Sequence, residues 1–187
     1  MTVRDTPVRQ LDAREPSHPE VPTVATHLSA LLALPGDPAD AFALVTDPAY
    51  VERVATATGG HDVEVSVTPA DGDGATTVSA RTMPANLPSY AKAFVGDTIR
   101  LVETRVFGPP AADGTRAGTF SVDFGSTPIS IRGTLRLAAD GSASAMAIEI
   151  EITASVPFVG GKVERIAAEW IERFVAKEEK VAAGQVA

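Results

Sequence analysis

The ionisable residues best placed to do chemistry stand two apart on one segment, Glu103 and Arg105 within Thr98–Phe107. The segment alternates as a strand does, and strand side chains repeat their direction every two residues. If Ile99 and Leu101 point into an interior, Glu103 and Arg105 follow them. There they could pair, orient a polar group of a ligand, or act as acid and anchor. A bulge that shifts the register gives the opposite result: Val102 and Val106 turn inward, and the pair becomes an exposed ion pair worth about 0–1 kcal/mol. Both arrangements remain open at this point.

Other motifs carry less. Gly160-Gly161-Lys162 ends like a phosphate loop, but Val156 stands where the first glycine belongs and Val163 replaces Ser or Thr. Asp71-Gly72-Asp73-Gly74 resembles the start of a calcium loop, yet Thr82 sits where the bidentate Glu would be, so a hairpin turn is expected. The Gly-x-Ser-x-Gly elbow of serine hydrolases is missing. His18 lies in the opening segment, and His27 alternates with apolar residues, which points it to solvent. His61 follows Gly59-Gly60 at a strand start, either at the surface or at a cavity mouth. None has an i, i+4 partner, so neither a metal nor another cofactor is expected.

Composition narrows the classes further. The 187-residue chain has 24 acidic against 16 basic side chains, a net charge of −8. That charge repels phosphate backbones and argues against a nucleic-acid partner. Cysteine is absent, which removes disulfide scaffolds, thiolate nucleophiles and Cys-ligated metal sites. The length suits one domain with one core. The apolar run Leu28–Leu34 is broken by Ser29 and stopped by Pro35-Gly36, far short of the about 20 residues of a membrane span. As a secretory segment it begins late, and Asp12, Glu15 and Glu20 occupy the place of a basic leader. A cytoplasmic location is therefore expected.

The elements that must hold these residues can be read along the chain. Residues 1–22 are charged and rich in proline (Pro7, Pro16, Pro19, Pro22), which predicts a disordered tail, with a partner-binding arm as the alternative. Thr23–Leu34 reads as a first strand with Leu28, Ala30 and Leu32 on one face. Asp37-Pro38 and Asp47-Pro48 each combine an N-cap with a proline suited to the first helical position. They predict helices over Ala39–Val45 and from Asp47 to the cap at Gly59-Gly60. Five or six strands follow, on Val63–Val67, Thr76–Thr82, Thr98–Phe107, Phe120–Phe124, Ile129–Leu137 and Met146–Ile152, and a short helix is predicted over Pro88–Val95. Asp113-Gly114 and Asp140-Gly141 supply hairpin turns. The period then changes: Val163, Ile166, Ala167, Trp170, Phe174 and Val175 form an apolar stripe that predicts a helix over Lys162–Val181. Glu164, Arg165, Glu172, Arg173, Glu178 and Glu179 are assigned to its wet face. Trp170 reads as a core residue, whose loss to alanine costs ~3–5 kcal/mol, or as a ligand contact.

This order of elements resembles the START-like helix-grip superfamily (SRPBCC), which includes pollen-allergen-type and polyketide cyclase-type proteins. The segments Asp47-Pro48-Ala49-Tyr50-Val51, Gly59-Gly60, Phe94-Val95-Gly96-Asp97 and Val156-Pro157-Phe158-Val159-Gly160-Gly161-Lys162 are similar to an actinobacterial family of unknown function within it. The resemblance spans residues 23–183. It implies an α+β fold in which a seven-stranded antiparallel sheet wraps a long C-terminal helix, with two short helices between strands one and two. It also implies a cavity between sheet and helix for a hydrophobic small molecule such as a lipid, polyketide or isoprenoid, in a monomer or homodimer. The expected lining is Trp170, Ile166, Phe174, Phe120, Phe124, Ile131, Ile150, Glu103 and Arg105. An aromatic content of only 5% fits an incompletely filled interior. Two alternatives stand beside this reading: a cyclase, dehydratase or hydrolase using Glu103, Arg105 or His61, and an interaction or stress-response module acting through the acidic surface or the tail. The superfamily has no single catalytic motif, so no catalytic residue is assigned.

Overall fold

Two periodicities, one of two residues and one of 3.6, account for nearly every element. The computed structural model describes residues 25–85, 96–155 and 160–186. The expected tail, the first residues of the expected opening strand, the expected helix Pro88–Val95 and the 156–159 part of the last motif lie outside those residues. The elements run β1 (Thr26–Leu34), α1 (Pro38–Val45), α2 (Pro48–Ala57), β2 (His61–Ala70), β3 (Gly74–Pro84), β4 (Thr98–Pro110), β5 (Arg116–Asp123), β6 (Ile129–Asp140), β7 (Ala143–Ala154) and α3 (Gly160–Ala182).

The strands form one seven-stranded antiparallel sheet in the order β1-β7-β6-β5-β4-β3-β2. From β2 to β7 the chain is a plain meander, each strand pairing with the next. β1 pairs with the last strand, so α1 and α2 carry the chain from one edge of the sheet to the other. Both helices begin as the sequence indicates. The Asp37 carboxylate accepts from the backbone N–H groups of Ala39 and Asp40 (2.8 and 3.0 Å), and Asp47 accepts from that of Ala49 (3.1 Å). Gly59, at φ +96°, turns the chain out of α2 in the left-handed region.

α3 lies along β1 and β7 and touches α2, so the sheet curls around it. The two ends of the enclosed space differ. At one end Leu32, Leu34, Val45, Phe107, Leu137, Met146 and Val181 pack into a filled core. Phe42 meets Phe107 edge-on at 5.8 Å, with the Arg116 guanidinium 3.6 Å from the Phe42 ring centre. The other end, bounded by the start of β4, the end of β5, the start of β6 and the first half of α3, is hollow. Among the described residues, no helix is long and apolar enough to cross a membrane.

α3 corrects one expectation. Glu164 and Glu178, assigned above to the wet face, are only 3% and 1% exposed. Glu164 accepts hydrogen bonds from the Ala154 backbone N–H (3.0 Å) and the Thr26 hydroxyl (2.7 Å), tying the helix start to the end of β7 and the start of β1. Glu178 follows Trp170 and Phe174 at four-residue steps, so it continues the inward stripe.

Candidate ligand-binding site

Between α3 and strands β3 to β7 lies a cavity of about 560 Å³. Its walls are mainly aliphatic and aromatic because the inward positions of four strands fall on such residues. Leu101, Phe120, Val122, Ile131 and Ile150 face Ile166, Trp170 and Phe174 across the space. The nine residues expected to line a cavity are all brought to it, Phe124, Glu103 and Arg105 included. Gly133 shapes one wall. It pairs with Phe120 across β5 and β6, and a Cβ on Gly133 would strike the Phe120 ring (2.5 Å) and the Glu149 carbonyl oxygen. The missing side chain lets the ring lie over β6.

The alternative with an exposed Glu103–Arg105 pair does not hold. β3 and β4 stay in continuous register from Ala75↔Phe107 to Pro84↔Thr98, and β4 shifts against β5 only between Phe107 and Pro110. With no bulge before Arg105, Ile99, Leu101, Glu103, Arg105 and Phe107 share the inner face, and Val106 is 40% exposed.

A charged layer therefore separates the filled end from the hollow end. Arg105 donates through Nε to Glu103 (2.7 Å) and through both terminal nitrogens to Glu178 (2.8 and 2.9 Å). Arg81 donates to the other Glu103 oxygen (3.0 Å) and to the Ser79 hydroxyl (2.8 Å), and its guanidinium lies 5.2 Å from the Phe174 ring centre. Burial by itself pushes the Glu103 carboxyl up, but the charges of Arg105 and Arg81 and their hydrogen bonds outweigh it and hold the group at about 2. Burial likewise disfavours the charged Arg105, and Glu178 and Glu103 more than reverse this, so its guanidinium is held charged more firmly than usual. Tyr50 stands beside the layer, its hydroxyl buried with no hydrogen-bond partner among the described residues. Burial, then the charge on Glu178, pushes that phenol well above its ordinary range.

Trp170 is half-buried and borders the open space, so it is not a filled-core residue. Its stripe curves past volume that no described side chain occupies. His27 is exposed, and His61 is exposed at the strand start, its Nδ1 2.9 Å from the Asp62 carboxylate. Among the described residues no three His, Asp or Glu side chains are grouped to hold a metal ion.

The geometry can be set beside known proteins. The family described as "Protein of unknown function (DUF2505)" matches residues 30–184. The chain belongs to that family. No curated protein matches it. Solved structures show the same helix-grip fold at low identity. The Zhui aromatase/cyclase from Streptomyces sp. R1128 has TM-score 0.57 and 11% identity, over 87% of this chain and 93% of that one. TTHA0849 from Thermus thermophilus has TM-score 0.56 and 16% identity, over 86% and 96%. Truncated norcoclaurine synthase from Thalictrum flavum has TM-score 0.53 and 14% identity, over 87% and 96%.

Several lining residues of the DUF2505 chain escaped sequence reasoning. Arg81 lies on β3, where the inner face reads Ala75, Thr77, Ser79, Arg81 and the outer face Thr76, Val78, Ala80, so polarity did not separate the two. The four-residue step from Phe174 was available for Glu178, but its charge argued it outward. Arg173 and Lys177 also line the cavity. They follow Ile166 and Trp170 at seam spacing, a signal legible only once the seam is known to face a void.

Proposed function

We propose that this DUF2505 protein binds a hydrophobic small molecule, such as a lipid, polyketide or isoprenoid, in the cavity between its sheet and α3, in the cytoplasm. The observation that carries this is the cavity itself. Protein interiors normally pack to the density of organic crystals, and about 560 Å³ of apolar-walled space falls within the range of small-molecule sites. Such a volume costs stability if left empty, because its lining loses its dispersion contacts.

An enzymatic role for Glu103 finds less support. A carboxylate held at about 2 and bonded by two guanidinium groups has no proton to give near neutral pH. His61 lies outside the lining. The layer reads more readily as the polar floor of a binding site than as an acid–base pair.

Native mass spectrometry of protein purified without detergent, followed by solvent extraction, tests the proposal. A discrete apolar mass released on extraction is the expected result. Protein that carries no such species, and takes up none when offered decanol or decanoate, overturns it.

A further inference from the structure

The charges along the cavity are not balanced. Among the described residues, four cationic side chains, Arg81, Arg105, Arg173 and Lys177, line it against two anionic ones, Glu103 and Glu178. Glu103 and Glu178 are consumed by Arg81 and Arg105 in the buried layer. Arg173 and Lys177 are left over, and neither is ion-paired with a described residue; Arg173 donates only to the Glu169 carbonyl (3.1 Å). This excess sits in a chain whose net charge is −8.

Their placement sharpens the point. Ile166, Trp170, Arg173 and Lys177 follow one another at four, three and four residues on α3, the spacing of a single seam. The seam runs apolar and then becomes cationic. Arg173 and Lys177 are a like-charge i, i+4 pair, an arrangement that weakens an isolated helix. Helical neighbours give Lys177 no relief: three and four residues away stand Arg173, Phe174, Lys180 and Val181. An anion at this position would be met by two cations, while the carboxylates lining the cavity are already engaged elsewhere.

We infer that the cavity takes an amphiphilic anion, its apolar body among Phe120, Ile150 and Trp170 and its carboxylate at Arg173 and Lys177. This rests on the binding role proposed above and narrows it to acids. Lys177 is half-buried beside the cavity, and the exposed Arg173 offers the planar fork that suits a carboxylate.

Isothermal titration of the full chain, after removal of any copurified ligand, with decanoate and decan-1-ol at neutral pH tests the inference. The two probes share a tail and differ in the head. Decanoate should bind at least about tenfold more tightly, about 1.4 kcal/mol, and lose that advantage as salt is raised. In the variant carrying Arg173→Gln and Lys177→Gln, the ratio of decanoate to decanol affinity should fall towards one. Equal affinities in the natural chain, or a preference that survives the double substitution, overturn the anionic head and leave the cavity reading standing. Binding of neither probe overturns both.

Discussion

Arg105 and Glu178 meet through two parallel hydrogen bonds of 2.8 and 2.9 Å, although 73 residues separate them in the chain. The pair fastens the last third of α3 to the middle of the sheet, and Glu164 fastens the helix start. Between these two fixings the helix borders the cavity. The site is thus held open by a helix pinned at both ends, and its floor is the pin at one of them.

Removing one partner of a buried ion pair leaves the other charge uncompensated, which costs about 3–5 kcal/mol. Glu178→Ala is expected to fall in that range in urea unfolding. The double variant Arg105→Leu with Glu178→Leu should cost less than the sum of its single changes, by about 0.5–3 kcal/mol. Strict additivity would show that the two groups are not coupled in solution.

Stability should fall in acid for a reason the layer supplies. The Glu103 carboxyl is held at about 2 when folded against an ordinary 4.5. Its folded value is depressed, so its contribution is fully present above about pH 4.5 and is lost as pH falls towards 2. Urea midpoints measured through that window should drop more steeply for the natural chain than for Glu103→Gln. Parallel curves would contradict the assignment.

Trp170 is the single tryptophan, so its fluorescence reports on the cavity alone. Saturable blue-shifted emission is expected as decanoate is added. Trp170→Ala should cost less than the about 3–5 kcal/mol of a truncated core aromatic, because the ring already borders open volume. A full core penalty would mean that the helix closes onto the sheet in solution.

Two glycines should respond in opposite directions. Gly133→Ala places a methyl against the Phe120 ring and the Glu149 carbonyl, and overpacking of this kind costs about 1–3 kcal/mol. Gly161 in the first turn of α3 has nothing among the described residues within 4 Å of an added Cβ. Gly161→Ala should therefore raise stability, by up to about 1 kcal/mol. Thermal melts of both variants check the contrast.

Much of the architecture was legible locally. Alternation at Met146, Ile148, Ile150 and Ile152, the two Asp-Pro caps and the stripe from Val163 to Val175 are short-range patterns, and backbone geometry converts each directly into a strand, a helix start or a helix face. The inward facing of Glu103 was half legible. Its parity with Ile99 and Leu101 was plain, but whether a bulge intervened depends on the pairing of β3 with β4, which no single strand encodes. The burial of Glu164 and Glu178 was not legible, because their charge argues against their spacing and their partners (Ala154, Thr26, Arg105) come from distant strands.

The elements, their order and their apolar faces are local properties, because they follow from periods of two and 3.6 residues along the chain. That the sheet curls far enough from α3 to leave a cavity emerges first in three dimensions. So does the mutual neutralisation of Arg81, Glu103, Arg105 and Glu178, which leaves Arg173 and Lys177 over. Both outcomes depend on how volumes and charges from remote segments meet in one space, and no local pattern carries that sum.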